Sequence, residues 1–523
     1  MSQLQKHDHA FAPGFSYENG LYVQLPFSFS QRTRYRLCQI GRNVRTIVLL
    51  AATVHALACA VSPAASLPPS PIRQVWGGGR HTMALLNDGS VWTWGSDVSG
   101  KLGDNQVCAD YNDFSHDSLV PLRVHGPGNV GYVNSIVAIS AGESHNMALR
   151  SDGTVWTWGW NGLGQLGNGT TNDAHTPVQV TVISNVVAVS GRGYHCLALE
   201  SDGSVWAWGW NAGGQLGDGT TTQSPVPKRV AGVTNPVMIS AAYKISLVLM
   251  SNGTVKVWGT DTKGELGQGT FHGFSYSPIT VPGISNVVSI SGDFQEPEAL
   301  LSDGTIWMWG WNNLGQLGDG ATNDTCVPAP VVGLTNMIFA GQSGDRNNCA
   351  IGANHTVYTW GRNYNGQLGI GTADQNPHPL PIALTNFGNG YVTMVQTPDW
   401  HSLALESDGT LWTWGSNEHG QGGTGDTNDH FSPTLVQWPT VPARTPVQLT
   451  LANAGKQGDG SFQFAFAAAA GTQFTVLSAS SLSTPFANWT PVGSVVETSP
   501  GQFRFSDPSA SRKPEQFYRV ISP

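Results

Sequence analysis

An all-β fold, a seven-bladed β-propeller followed by a C-terminal β-sandwich, is what this sequence predicts, on three observations. A Trp-Gly strand end followed by a Gly-x-Leu-Gly turn recurs seven times between Trp92 and Gly423. The last aromatics of those strand ends (Trp94, Trp158, Trp208, Trp258, Trp309, Trp360 and Trp414) stand 64, 50, 50, 51, 51 and 54 residues apart. The apolar runs between them are short and β-branched, without the 3.6-residue periodicity of a helix. A fixed period of this size marks one supersecondary unit copied in series, and such arrays usually serve as binding scaffolds.

Each unit opens on a β-branched run such as Ile136 to Ser140 or Val186 to Ser190. A Gly, often with a His close behind, leads into a second run such as His145 to Leu149 or His195 to Leu199. An Asp-Gly or Asn-Gly pair follows in six repeats, from 88–89 to 408–409. Both dipeptides accept positive φ and suit tight hairpins. Repeat 6 departs here, with Asn354-His355. The third run is Trp-x-Trp-Gly in most repeats, and period-two alternation sends both rings to one face, where both are expected in the core. The turns that follow run from Gly100-Lys-Leu-Gly103 and Gly164-Gln-Leu-Gly167 to the degenerate Gly420-Gln-Gly-Gly423. A Pro-bearing run such as Thr176 to Val180 completes the unit, and Pro belongs on a sheet edge because it cannot donate to the ladder. Four antiparallel strands per unit make a ring in which repeat 7 packs on repeat 1 and edges stay short.

The string Gly-x-x-His, Ala-Leu, Asp-Gly, Trp-x-Trp-Gly, Asn, Gly-Gln-Leu-Gly resembles the regulator-of-chromosome-condensation repeat. That resemblance covers roughly residues 72–438 and implies a seven-bladed propeller.

The two ends follow other patterns. Arg32, Arg34, Arg36, Arg42 and Arg45 precede an apolar stretch from Ile47 to Ala60 that ends in small residues. That is the order of an export signal, and the stretch is too short to span a bilayer, so no stable membrane insertion is expected. Signals sit at chain starts, so an internal start near Val44 is expected, with cleavage between about Ala58 and Ala65 and a secreted or periplasmic product. Ala56-Leu-Ala-Cys59 also resembles a lipoprotein cleavage box, without its usual first Leu. After the Pro-rich segment from Trp438 to Pro446, alternating aromatics such as Phe462-Gln-Phe-Ala-Phe466 and Phe503-Arg-Phe505 read as a β-sandwich. It resembles a C-terminal module of exported proteins from environmental bacteria. The expected limits are 1–65 for the basic extension and signal-like segment, 70–440 for the propeller and 447–523 for the sandwich.

The chain carries 25 basic and 34 acidic residues. Residues 1–59 hold six and two of these, leaving 19 against 32, a net charge of −13. Such a surface repels phosphate backbones, so no nucleic-acid partner is expected. Beyond residue 59 stand Cys108, Cys196, Cys326 and Cys349, in four different repeats at no metal-ligand spacing. Cys196 and Cys349 fall in second runs and are assigned to the core. A disulfide at Cys108 or Cys326 stays open.

Few residues carry chemistry. Gly162-Leu-Gly164-Gln-Leu-Gly167 spells a dinucleotide fingerprint, but no helix follows to aim at a phosphate and sister repeats use the string as a turn, so no cofactor is expected. His81, His145, His195 and His401 share one repeat position, occupied by Ile245, Glu296 and Asn347 in repeats 4 to 6. A seven-fold ring spreads such positions around its axis, whereas zinc ligands must meet within about 2 Å of one point. Hydrogen bonding within each blade is expected of these histidines, and no metal site. The periodic aspartates are turn residues without a paired second acid, and no nucleophile elbow appears, so no catalytic residue is assigned and no enzyme is expected.

Twelve of the 19 tryptophans belong to the repeating strand. Trp160, Trp210 and Trp311 are different, because they follow the strand-ending Gly where sister repeats have Ser96, Thr260, Arg362 and Ser416. The fold does not demand Trp there. One repeat-equivalent position carries the three to one end of the ring, with Tyr364 nearby. Large aromatics dominate interface hot spots, which makes these four the candidate partner-binding set; the competing reading is that they pack over neighbouring loops.

The sequence therefore points to an exported, monomeric, non-catalytic scaffold that binds a protein or other macromolecule through loops on one face. The family that the repeats resemble includes a bacterial propeller that inhibits β-lactamases with aromatic-rich loops on one face, which implies a binding role of this kind. The alternative that the resemblance implies is guanine-nucleotide exchange on a small GTPase. The exchange factor's β-wedge has no counterpart in the even spacing of repeats 2 to 7, and the insertion in repeat 1, Cys108 to Val130, does not read as a strand pair. Plant-type light sensing would need Gly-Trp-Arg-His-Thr, where this chain has Gly79-Arg80-His81-Thr82 without the Trp. N-terminal sequencing of the native protein is expected to find a start between about Ala58 and Ala65; a cytoplasmic chain starting at Met1 would refute the export reading.

Overall fold

A computed structural model describes residues 71–439, apart from 272, 293, 342, 343, 345 and 389, together with the C-terminal strands between 452 and 521. The signal-like extension and the linker at 440–451 lie outside the described residues. The propeller residues and the C-terminal strands belong to two separate compact units.

Among the described residues, the first unit holds seven four-stranded antiparallel sheets, each built from strands consecutive in the chain. They span 72–123, 136–180, 186–229, 236–280, 287–330, 337–384 and 392–435. First strands of neighbouring blades touch one another, and fourth strands form the outer edge. Among the described residues, no strand is exchanged at the closing seam. Leu403, Leu405 and Trp438 pack with Val75, Trp92 and Trp94 in one core, so the last blade meets the first through side chains.

The expected hairpins form, and in repeat 6 His355 takes the positive φ (63°) that Gly supplies elsewhere. The Trp pairs differ from expectation. The second ring of each pair is fully buried, whereas Trp156, Trp206, Trp307 and Trp412 are half-buried. These first rings stand beside the hairpin turn, where the indole N–H finds a polar partner: Trp156 donates to Thr154 Oγ1 and Trp206 to Glu200 Oε2. The insertion in repeat 1 is also redrawn. Residues 108–130 straddle the fourth strand, Ser118–Arg123, leaving a loop before it and a short 3-10 turn, Pro127–Asn129, after it. Cys108, Cys196, Cys326 and Cys349 are all free thiols, and all but Cys326 are buried.

One hydrogen-bond acceptor recurs at every junction between blades, the carbonyl oxygen of the second residue of the Gly-x-Leu-Gly turn. The buried Trp of the next blade donates its indole N–H to it: Trp158 to Lys101, Trp208 to Gln165, Trp258 to Gln215, Trp309 to Glu265, Trp360 to Gln316 and Trp414 to Gln367, at 2.8–3.1 Å. The residue paired with that Trp on the second strand donates to the same oxygen, as Asn146, Cys196, Ser246, Asn348 and Ser402 do. Blade 5 has Pro297 there and relies on Trp309 alone. At the seam the roles reverse: Thr82 Oγ1 donates to Gln421 O at 2.7 Å, while Trp94 Nε1 has no partner. The last Gly of the turn is needed because the next indole rests on it; at Gly167 (φ 65°) a Cβ would come within 2.6 Å of Trp208 Nε1.

The C-terminal unit pairs two sheets. Strands Ala452–Lys456, Phe462–Ala467, Gln502–Asp507 and Val496–Ser499 form one, and Thr490–Ser494, Thr475–Ala479 and Phe517–Ile521 the other. Phe464, Phe466, Phe503 and Phe505 share a core with Val476 of the second sheet, which makes this a β-sandwich.

Trp258→Phe should cost about 1 kcal/mol more than Trp94→Phe in denaturant unfolding, because only Trp258 loses an indole hydrogen bond. Equal losses would remove the turn carbonyl from the account of blade association.

Candidate functional site

At one end of every blade, the residue after the strand-ending Gly donates its amide to the carbonyl of the residue before the histidine position. Trp160 bonds Ser144, Trp210 bonds Tyr194, Trp311 bonds Gln295 and Arg362 bonds Arg346, at 2.8–3.1 Å. Two side-chain positions are thereby held side by side. Gly permits the approach, since at Gly209 (φ 97°) a Cβ would lie 2.5 Å from Tyr194 O.

Trp160, Trp210 and Trp311 lie at this end, half-buried, in a continuous belt of rings. Ring centroids step from Trp160 to Tyr194 (5.2 Å), Trp210 (6.2 Å), Tyr243 (5.4 Å), Phe294 (4.7 Å) and Trp311 (5.6 Å). Arg346 lies 4.0 Å over Trp311, and Lys244 and Lys263 stand 5.5 and 5.4 Å from Tyr243 and Trp311. Tyr364 belongs to a second run: Arg362 covers Tyr364 (4.6 Å) and Trp400 (5.1 Å), and Arg80 covers Trp400 (5.5 Å) and Tyr111 (4.8 Å). Phe114, more than half exposed, stacks on buried His419 at 4.8 Å. Tyr194, Tyr243, Phe294 and Trp400 were missed in the sequence. Their signal was the positions one or two before the histidine, where Tyr194, Lys244, Arg346 and Trp400 vary as freely as the Trp column does.

Buried charge lies beneath the belt. Tyr194 OH donates to Glu143 Oε2 at 2.8 Å. Burial and the Glu143 carboxylate push the Asp399 carboxyl well up, against the pull of Arg192 and Arg362. Burial also raises Glu265 and Glu296 to about 7, although each is held by a carboxamide, Gln295 on Glu265 and Gln316 on Glu296. These two acids act on one another's charge, a pairing the repeat pattern did not show. Both are fully enclosed, so the arrangement offers no open acid–base site.

The histidines bond between blades, which corrects the expectation of bonding within each one. His81 Nε2 reaches Asn146 Oδ1 (2.8 Å), His145 Cys196 Sγ (3.1 Å), His195 Ser246 Oγ (2.9 Å) and, across the seam, His401 Thr82 Oγ1 (2.8 Å). Those partners are the second-strand residues whose own protons go to the turn carbonyl. The histidine must therefore be the donor, as the Nε2–H tautomer. Its Nδ1 is buried without a partner, so a second proton would find no acceptor. Burial accordingly lowers His145, His195 and His401 to about 3. Among the described residues, no group of three or more His, Cys, Asp or Glu is placed to hold a metal ion.

An RCC1-like domain model matches residues 38–296, and regulator of chromosome condensation repeat models match 303–351, 354–405 and 399–421. The chain belongs to the regulator-of-chromosome-condensation repeat family. Within it, the chain is 26% identical over 377 residues to the ultraviolet-B receptor UVR8 of Arabidopsis thaliana, covering 71% of each. A stretch of 147 residues is 33% identical to human E3 ubiquitin-protein ligase HERC2, 28% of this chain but 3% of that protein. Of solved structures, human WBSCR16 superposes with TM-score 0.58 at 23% identity, covering 67% of this chain and 94% of that one. Yeast Prp20 bound to Kap60 gives 0.57 at 20%, over 75% and 91%. Both show the propeller fold alone. Among the described residues, no helix is long and apolar enough to cross a membrane.

The buried groups of this family member set its pH response. The histidines, lowered to about 3, contribute stability that is complete above about 6.5 and lost as pH falls toward 3. Glu265 and Glu296, raised to about 7, and Glu298, raised to about 8, contribute stability complete below about 4.3 and lost as pH rises through 7 to 8. The melting temperature should peak between about 4.3 and 6.5, with His195→Gln flattening the acid limb and Glu298→Gln the alkaline one. A profile unchanged by both substitutions would remove these groups as its cause.

Proposed function

We propose that this protein is an exported, non-catalytic scaffold that binds a protein partner with the aromatic end of its propeller. The belt of rings and stacked cations carries the reading. Trp, Tyr and Arg are the residues that dominate interface energetics, because they bury much area at small entropic cost. Here the scaffold pre-orders them, Trp160 and Trp210 leaning on Tyr194 and Tyr243 of the next blade and Trp311 on Phe294 of its own, which lowers the entropy lost on binding. Half-burial is consistent with rings that pack on neighbours along one edge and present the other. Export is supported by the arginine-rich segment and apolar stretch before Ala60. Yeast Prp20, which shares the fold, binds Gsp1p and histones and has been solved bound to Kap60, so this architecture holds protein partners elsewhere. An exchange-factor role finds less support. The repeat 1 insertion that could serve as a wedge carries two isolated bridges, Val98 to Cys108 and His125 to Tyr132, and its Phe114 is stacked over His419.

A chain in which Trp160, Trp210 and Trp311 are all changed to Ala should stay folded and lose capture of a supernatant partner at least tenfold. Unchanged capture by a folded triple variant would sink the binding face. Unfolding of that variant would return the three rings to a packing role, to be settled with Trp210→Phe, which keeps a ring.

A further inference from the structure

The ring closes between the last blade and the first, and this seam lacks bonds that its sister junctions have. Trp94 Nε1 is buried without a partner, whereas the matching indoles of the other six blades reach a turn carbonyl. In the last blade, whose turn faces the seam, Thr413 Oγ1 is also buried without a partner. Its counterparts Thr93, Thr157 and Thr359 donate to the carbonyl of the turn leucine. That leucine, buried in six repeats, is replaced by Gly422 in the last. Among the described residues no strand crosses the seam, so side chains must hold it. Gln396 Nε2 donates to Val75 O at 2.6 Å, Thr82 donates to Gln421 O, and Trp438 packs edge-on against Trp92 and Trp94.

The repeat 1 insertion adds a further contact here. An aspartate accepts the amide of the residue that leads into each turn, 12 positions earlier in Asn161–Asp173, Asn312–Asp324 and Asn417–Asp429. In Asp97–Asp117 the separation is 20, and the longer loop holds Tyr111 and Phe114. Asp117 Oδ2 lies 2.5 Å from His419 Nδ1 of the last blade, 302 residues away. Arg80 Nη1 lies 2.8 Å from the other ring nitrogen; a guanidinium only donates, so Nε2 accepts and Nδ1 donates its proton to Asp117. Phe114 stacks on the imidazole at 4.8 Å, and Tyr111 meets it edge-on at 6.1 Å. The His419 side chain is 0% exposed and that of Asp117 3%.

The fourth junction shows the same pair without the insertion. Lys263 holds the turn position of His419, Asp324 holds that of Asp117, and they meet at 2.9 Å with side chains 37% and 25% exposed. Solvent leaves a surface pair little weight, whereas a bond enclosed in low dielectric is stronger and costly to break. We propose that the repeat 1 insertion is a clasp: it encloses the Asp117–His419 bond and keeps the ring shut at the seam. Without it, the ring opens between the last and first blades before any blade unfolds. The clasp does not depend on the partner-binding reading.

Native-state amide exchange, read by mass spectrometry, tests this. His419→Leu installs the residue that Leu163 and Leu314 supply in sister turns. It should speed exchange roughly tenfold in 72–86 and 392–406, the strands that face across the seam, and leave 236–330 unchanged. Lys263→Leu should keep exchange on both sides of the fourth junction within about twofold of the native chain. A His419→Leu chain that exchanges like the native one, or loosens evenly around the ring, would overturn the proposal. So would equal loosening of the fourth junction by Lys263→Leu. If His419→Leu does not fold, Phe114→Ala decides, because it keeps the bond and admits water to it. Faster exchange confined to the seam strands is then expected, and an unchanged pattern overturns the clasp.

Discussion

One oxygen atom recurs as an acceptor at every junction between blades, the carbonyl in the middle of each Gly-x-Leu-Gly turn. It accepts from the next blade's buried indole and from a second-strand side chain, and where one donor is missing the other remains: Trp309 beside Pro297, Thr82 beside Trp94. Each bond is worth about 1 kcal/mol net, less than burial of the Trp it orients. Its weight lies in direction. Apolar packing tolerates sliding, whereas donors converging on one acceptor help to set the offset between blades, and among the described residues the ring closes without an exchanged strand.

The histidines extend that device. Because the Ser246 hydroxyl spends its proton on Gln215 O, it can only accept from His195, and the imidazole is held in one tautomer. The relay is a chain of donors with one allowed direction, and it stays intact only while the ring is neutral. Glu296 replaces His in blade 5 and is satisfied differently, by Gln316, so this junction keeps its packing with the opposite titration.

Because every junction uses the same few atoms, the residues flanking them are free to vary. The column after the strand-ending Gly holds Trp, Ser, Thr and Arg, and the column before the histidine holds Arg, Ser, Tyr, Lys, Gln and Trp. The amide-to-carbonyl bond between those columns needs no particular side chain, so the scaffold brings any pair of residues together at the same end. Aromatic and cationic choices at both columns, with Tyr243 and Phe294 one position further upstream, make the belt.

The period of the Trp-Gly strand ends determined the blade number, because each copy must bury its face on a neighbour. Asp-Gly turns and edge prolines determined the strand order, because positive φ and a missing donor are local properties. The end of the ring carrying Trp160, Trp210 and Trp311 was legible for the same reason, being a matter of repeat position. Only the tertiary structure decided what those rings touch. Tyr194 and Tyr243 each lie in the blade after the Trp they meet and reach the belt through the turn of the ring, a distance no spacing within one repeat encodes. The histidine bonds also emerged only there, since a hydrogen-bond partner in the next blade is some fifty residues away. Local chemistry is written along the chain; which donor meets which acceptor across a junction is fixed by the geometry of the closed ring.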